Sequence, residues 1–296
     1  MLRHILVPAT GNDFDQPVHR FALDVSRVLG AHLEFLHARS DPKDSVLHLA
    51  EAQIGGGFAI GRLMREIEAD GLALEAQVRK NCDAFCRAEG LTMGATHDQT
   101  VGGTAELVFR LGDEGQHLIQ HGRTADLLIT GRMRAPEYVA LELLRAVLCG
   151  IGRPLLIVPQ APVRSPFGTV VIAWKNTAVA ARAVTAAMPF IASAQKVVIV
   201  SVDEGKASSA GGDGTPDTSN ERLLNTLRRH NPRVSAQRVP CGSGEAVEAL
   251  LAASTAHGAG LLVMGGYGHG RLREELFGGF TRDLLRSAPL PVLMMH

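Results

Sequence analysis

Net charge, disulfide-forming cysteine and long apolar runs are all scarce in this 296-residue chain. Thirty Lys and Arg residues balance thirty Asp and Glu residues, so the electrostatic footprint of a general nucleic-acid binder is missing. The four cysteines, Cys82, Cys86, Cys149 and Cys241, are too few and too scattered for a disulfide scaffold. No stretch approaches the ~18–20 uninterrupted apolar residues of a membrane span, so no membrane partner is expected. The opening MLRHILVPAT has neither a basic n-region nor a long apolar core; export is not expected, and a cytoplasmic location is. Against these absences, hydrophobic residues make up 46% of the chain, ample for real cores. The length is about that of two ordinary domains.

Short apolar runs recur in the same order in both halves. The first half has HILVP (His4 to Pro8), LEFLHA (Leu33 to Ala38), ADLLITG (Ala125 to Gly131) and PLLIVP (Pro154 to Pro159). The second has TVVIAW (Thr169 to Trp174), KVVIVSVD (Lys196 to Asp203), GLLVMGG (Gly260 to Gly266) and PVLMMH (Pro291 to His296). Continuous apolar runs of this length predict strands buried on both faces of a parallel sheet. Between them, apolar residues at helical spacing (Phe21, Val25, Val28, Leu29; Leu223, Leu224, Leu227; Val247, Leu250, Leu251) predict helices. Alternating strands and helices mean βαβ units and an α/β fold. The expected organisation is two tandem domains, 1–160 and 166–296, joined through the Pro-containing QAPVRS. The first half carries a surplus around Arg39 to Leu63 and in a long helix running to about Cys86. A second loop, Glu204 to Ser219, is rich in Gly, Ser, Asp and Pro and reads as a surface connection.

In open parallel sheets, ligands bind beyond the carboxyl ends of the strands. After the fourth strand of the second half comes MGGYGHGRLREELFGGFTRDLL, with Gly265, Gly268 and Gly278 at G-x2-G-x9-G spacing, then Gly279, Phe280 and Thr281. Glycines there would let main-chain amides approach a phosphate chain. A helix from about Thr281 to Ser287 would aim its amides at the same anion. Thr281 is placed to cap that helix or bond a phosphate oxygen, and Arg271 and Arg273 would add positive charge. The bland alternative is that the glycines punctuate turns. There is no G-K-[ST] of a Walker A loop, and no G-x-G-x-x-G after the first strand.

This segment resembles the universal stress protein family, whose nucleotide-binding members carry G-x2-G-x9-G-[S/T] after the fourth strand. The resemblance covers the chain as a tandem pair, closely over Thr169 to His296 and loosely before it. It implies two five-stranded parallel sheets flanked by helices, of the adenine nucleotide alpha hydrolase-like type. It also implies ATP or another adenine nucleotide, with Mg2+, held at the sheet edge in a stress response. By position, Gly265, Gly268, Gly278 and Gly279 would meet phosphates, with Phe280 and Thr281 following them. Ala173, Val202 and Met264 would line the adenine and ribose pocket. This chain departs from the pattern at Gly279, where the family usually has Ser or Thr, and at Lys175, where nucleotide-binding members tend to place Asp. In the first half only Gly131 matches; Arg134 and Leu144 stand where glycines would, and Asp13 in the loop after the first strand reads as a relic or a cap. That half is expected not to hold nucleotide and to act as a structural partner.

The resemblance further implies antiparallel pairing of Pro154 to Val158 with Pro291 to Met295, an intrachain pseudo-dimer, and leaves homodimers open. Other constellations read as structural. His117 and His121, four apart in HLIQH, lack the Glu of a zinc protease and read as hydrogen-bonded residues; no metal site is expected. Cys82 and Cys86 read as small buried residues, Ser243 as a helix N-cap, and Trp174 as core or pocket wall. No catalytic residue can be named, although slow ATP hydrolysis is left open. The rival function is a scaffold that binds protein partners and no nucleotide.

Overall fold

The computed structural model describes residues 2–43, 57–94, 103–132, 137–160, 163–204, 218–266 and 279–296. Its contacts divide the chain into two compact units, Met1–Thr130 and Gly131–His296.

In the first unit the strands are β1 (His4–Pro8), β2 (His32–Arg39), β3 (Thr92–Met93), β4 (Thr104–Leu111) and β5 (Leu127–Gly131), in the sheet order β3-β4-β2-β1-β5. The pairings β1–β2, β1–β5, β2–β4 and β3–β4 are all parallel. Ile5, Leu6 and Val7 are fully buried, as a strand covered by helices on both faces requires. Helix α1 (Asp15–Leu29) buries Val18, Phe21, Ala22, Leu23 and Val25. Val28, counted among the apolar-face residues from its spacing, points outward at 57% exposure. The helix stops at Gly30, whose φ of 61° is the left-handed cap that a residue without Cβ adopts most cheaply. The surplus of this half is helix α2 (Gly57–Ala88), 32 residues long, where the second half has a 9-residue helix. Helix α3 (Glu114–Gly122) is capped by Asp113, whose side chain accepts from the Gln116 amide at 2.7 Å.

The second unit opens with helix α4 (Glu137–Ile151) and β6 (Leu155–Val158). It continues with β7 (Thr169–Ala173), helices α5 (Ala178–Ala186) and α6 (Met188–Ser193), β8 (Lys196–Asp203), α7 (Ser219–Leu227), β9 (Val234–Pro240), α8 (Ala246–Ala256), β10 (Leu261–Gly265), α9 (Gly279–Ser287) and β11 (Val292–Met295). The strand order is β6-β11-β10-β7-β8-β9. All pairs among β7 to β11 are parallel, whereas β11 pairs antiparallel with β6, matching Val292 to Ile157, Leu293 to Leu156 and Met294 to Leu155. That is the pairing expected of the two fifth strands. It covers an edge that would otherwise present unpaired amides.

Candidate functional site

The carboxyl edge of the second sheet is built by strand register. Ala173 lies opposite Met264 on one side and Val200 on the other, so the ends of β7, β8 and β10 stand level, with Val202 two residues beyond on β8. Parallel pairing of β10 with β11 requires the intervening helix α9 to start at this same edge. Helix α5, entered directly from β7, starts there too, and the Thr177 side chain accepts from the Ala180 amide at 3.3 Å. Two helix N-termini, whose first-turn amides have no partner within their own helices, thus share one edge.

Each expected site residue has a definite surrounding, except Gly268 and Gly278, which, with Arg271 and Arg273, lie outside the described residues. Ala173, Val202 and Gly265 are half-buried, Lys175 is exposed, and Gly279 and Phe280 are exposed at the start of α9. Met264 is 4% exposed and belongs to the core. Thr281 is also buried. Because α9 begins at Gly279, Thr281 is its third residue and not its cap.

The glycines separate into two kinds. A Cβ on Gly265 would lie 2.7 Å from the Ala180 nitrogen and 2.8 Å from the Val179 carbonyl carbon, both main-chain atoms of α5. On Gly266 it would meet Leu148 Cδ2 at 2.7 Å, and the Gly266 amide already donates to the Met295 carbonyl at 2.8 Å. Helix–strand packing demands Gly265, whereas at Gly266 the nearest atoms are the ends of the Leu148 and Met294 side chains, which can shift. Gly279 is different. Among the described residues its Cβ would approach only Asp283 Oδ2, at 3.9 Å.

A hydrogen-bonded wall stands beside this edge. The Trp174 indole donates to Ser219 Oγ at 3.0 Å, and Ser201 Oγ lies 3.1 Å from the Trp174 carbonyl and 2.7 Å from Asn220 Oδ1. These bonds fix the start of α7 against the ends of β7 and β8. Further along, Glu245 rather than Ser243 is the N-cap residue of α8, and its carboxylate accepts from the Gly242 amide at 3.0 Å. Burial, and then the carboxylates of Glu204, Glu245 and Asp203, raise the pKa of the Cys241 thiol.

The corresponding edge of the first half is organised differently. Asp13 is exposed, and it is Asp15 that orders the loop after β1, accepting from Thr10 Oγ1 at 2.8 Å and from the Gly11 amide at 2.7 Å. Leu144, where the third glycine would fall, is a buried residue of α4; Arg134 lies outside the described residues. Cys82 and Cys86 are buried free thiols, as read from the sequence. His117 bonds the Leu111 carbonyl at 2.9 Å, while His121 turns to Glu34, so the two histidines do not converge.

Parallel strands with crossover helices, their carboxyl edge bordered by helix N-termini, define the doubly wound class of α/β protein. Residues 166–296 match the model of the Universal stress protein family. A universal stress protein from Archaeoglobus fulgidus has the same fold over 99% of this chain and 95% of its own, with a TM-score of 0.65 at 18% identity. A universal stress protein from Pseudomonas aeruginosa matches over 99% of this chain and 93% of its own, with a TM-score of 0.55 at 13% identity. A universal stress protein crystallised in complex with cAMP matches 45% of this chain and 99% of its own, with a TM-score of 0.33 at 21% identity. No curated protein matches the chain in sequence. Among the described residues, no helix is long and apolar enough to cross a membrane.

Proposed function

We propose that the C-terminal domain, residues 166–296, binds ATP or another adenine nucleotide, with Mg2+, and acts in a stress response through that bound state. The N-terminal domain, residues 1–160, serves as its structural partner without holding nucleotide. The observation that carries the reading is the start of α9. Gly279 is exposed there, its Cβ position crowded by none of the described residues, at the edge where Ala173 and Gly265 end their strands. The G-x2-G-x9-G spacing of Gly265, Gly268 and Gly278, seen in nucleotide-binding family members, supports phosphate binding by main-chain amides. Ala173 and Val202 would border the nucleoside, Lys175 would add positive charge, and Phe280 and Thr281 would flank the phosphates. Met264 would support the floor from within the core.

The rival, a scaffold that binds protein and no nucleotide, is favoured by the Gly265 packing, which needs no ligand to explain it. Trp174, the chain's one tryptophan, stands beside this edge and reports on it. Titration of the full chain with ATP and Mg2+ should change its emission and raise the melting temperature. Gly268→Val should abolish both responses by putting a side chain in the phosphate path. Neither response at millimolar nucleotide, from wild type, would establish the rival.

A further inference from the structure

At the amino edge of the first unit's sheet, three strands bring histidines and carboxylates onto one face. Side chains two apart on a strand share a face. The parallel register sets His4 beside His32, Glu34 beside Glu106, and Leu33 beside Ala105 between them. His32, Glu34, Thr104 and Glu106 therefore form a block, with His4 at its β1 side and His121 reaching in from α3.

The block holds two carboxylates in neighbouring register positions, and one of them, Glu34, is 5% exposed. Placing like charges side by side in so dry a setting is unfavourable unless positive charge compensates. Burial alone would raise the Glu34 pKa, but the close approach and charge of His4 and His121 outweigh it and hold the carboxyl ionised below its usual range. His121 Nδ1 bonds Glu34 Oε1 and so fixes the carboxylate plane. The other oxygen, Oε2, lies 2.9 Å from His4 Nε2. That approach does not run along a ring N–H: the buried His4 Nε2 has no hydrogen-bond partner. On the next strand His32 Nδ1 is 2.8 Å from Thr104 Oγ1, and its Nε2 is 3.5 Å from Glu106 Oε1. One donor atom each from His4, Glu34 and Glu106 lie within 4.8 Å of one another.

We propose that His4, Glu34 and Glu106 bind a divalent transition-metal ion of the zinc type at this edge. One imidazole nitrogen and two carboxylate oxygens suit such an ion, with water completing a tetrahedral shell. Bonds of about 2.1 Å would draw the donors to about 3.4 Å from one another. The half-exposed Glu106 side chain has the freedom to close that distance. His121 would act behind the site, holding the far oxygen of Glu34, as outer partners of metal ligands do. The alternative is a His–Glu network that carries no ion.

The test uses the full chain, freed of any histidine tag and stripped with chelator, titrated with Zn2+ alone by calorimetry. One equivalent should bind. Glu106→Gln, at a half-exposed position, and His4→Gln should each weaken binding at least tenfold, with circular dichroism unchanged. In 15N-histidine spectra, Zn2+ should shift the His4 Nε2 resonance. Binding well below one equivalent, or affinity within twofold of wild type in both variants, would leave only the ion-free network and overturn the proposal. Should Glu34→Gln unfold the protein, the Glu106 variant and the His4 resonance still decide the matter.

Discussion

The Arg132 guanidinium donates to the main-chain carbonyl of Arg286 at 2.9 Å, and its other amino group reaches the Ala288 carbonyl. Arg132 thus holds the C-terminal end of α9, the helix whose other end starts at Gly279. A cation there satisfies carbonyls that the helix leaves unpaired and complements its dipole. The side chain is half-buried, and desolvation lowers its pKa. Arg132→Ala should cost about 1–3 kcal/mol through the lost charge-assisted bonds, read as a lower urea midpoint. It should also weaken nucleotide binding, if α9 is the anion-facing helix. Unchanged stability would show that the carbonyls find water equally good.

Gly265 and Gly279 should answer substitution in opposite ways. Gly265→Ala drives a Cβ into the α5 main chain, which cannot yield as a flexible side chain would; a loss of about 1–3 kcal/mol is expected with or without ligand. Gly279→Ser meets no obstacle among the described residues and supplies the hydroxyl usual in the family at that place. It should leave stability within about 0.5 kcal/mol and tighten ATP binding. Calorimetry on the two variants, with urea unfolding beside it, checks both expectations.

His19 sets one acid limit of the fold. It is buried between Phe35 and Phe85, its Nε2 lies 3.3 Å from the Pro8 carbonyl, and burial lowers its pKa below 6.5. The unfolded chain takes up a proton at this residue as the pH drops through ~6.5, while the folded protein resists until lower pH. The contribution is therefore intact above that value and is lost on acidification, at up to about 1.4 kcal/mol per pH unit for one such group. His19→Gln should flatten the fall of stability from pH 6.5 to 5, and a parallel curve in the variant would refute the assignment.

Thiol chemistry should follow burial. Desolvation pushes Cys82 up to about 12 and Cys86 up to about 11, leaving almost no thiolate at pH 8. Cys149 is exposed and Cys241 half-exposed. A disulfide reagent at pH 8 should modify those two in the native protein and reach Cys82 and Cys86 only in denaturant.

The strands most easily read from the sequence were those buried on both faces, because dryness leaves an apolar run such as Leu261 to Met264. β9 went without its own apolar signature: from Ser235 to Arg238 its residues are exposed, so no such run was selected. The excess length of the first half was legible as a long helix, since α2, apart from Gly61 and Gly71, is rich in good helix formers. Gly265 shows what a sequence cannot separate. A glycine that admits a neighbouring helix and a glycine that admits a phosphate look alike until coordinates show which atom approaches. Ser243 is not the cap because α8 starts later: Glu245 is its N-cap residue, with a carboxylate turned back to the Gly242 amide. The His–Glu block escaped notice because its members come from β1, β2, β4 and α3. The visible trace was a pair of polar residues two apart inside apolar strands, His32 with Glu34 and Thr104 with Glu106.

The antiparallel seam between β6 and β11 has a genetic corollary. Leu155 to Val158 come before the linker, yet they finish the sheet of the part that follows it. A gene fragment beginning at residue 166 would code for every strand of β7 to β11 and still yield a sheet with a bare, sticky flank at Val292 to Met294. Such a fragment should find a substitute, most simply another copy of itself, and any dissection of this protein should keep the Leu155–Val158 segment with the part it completes.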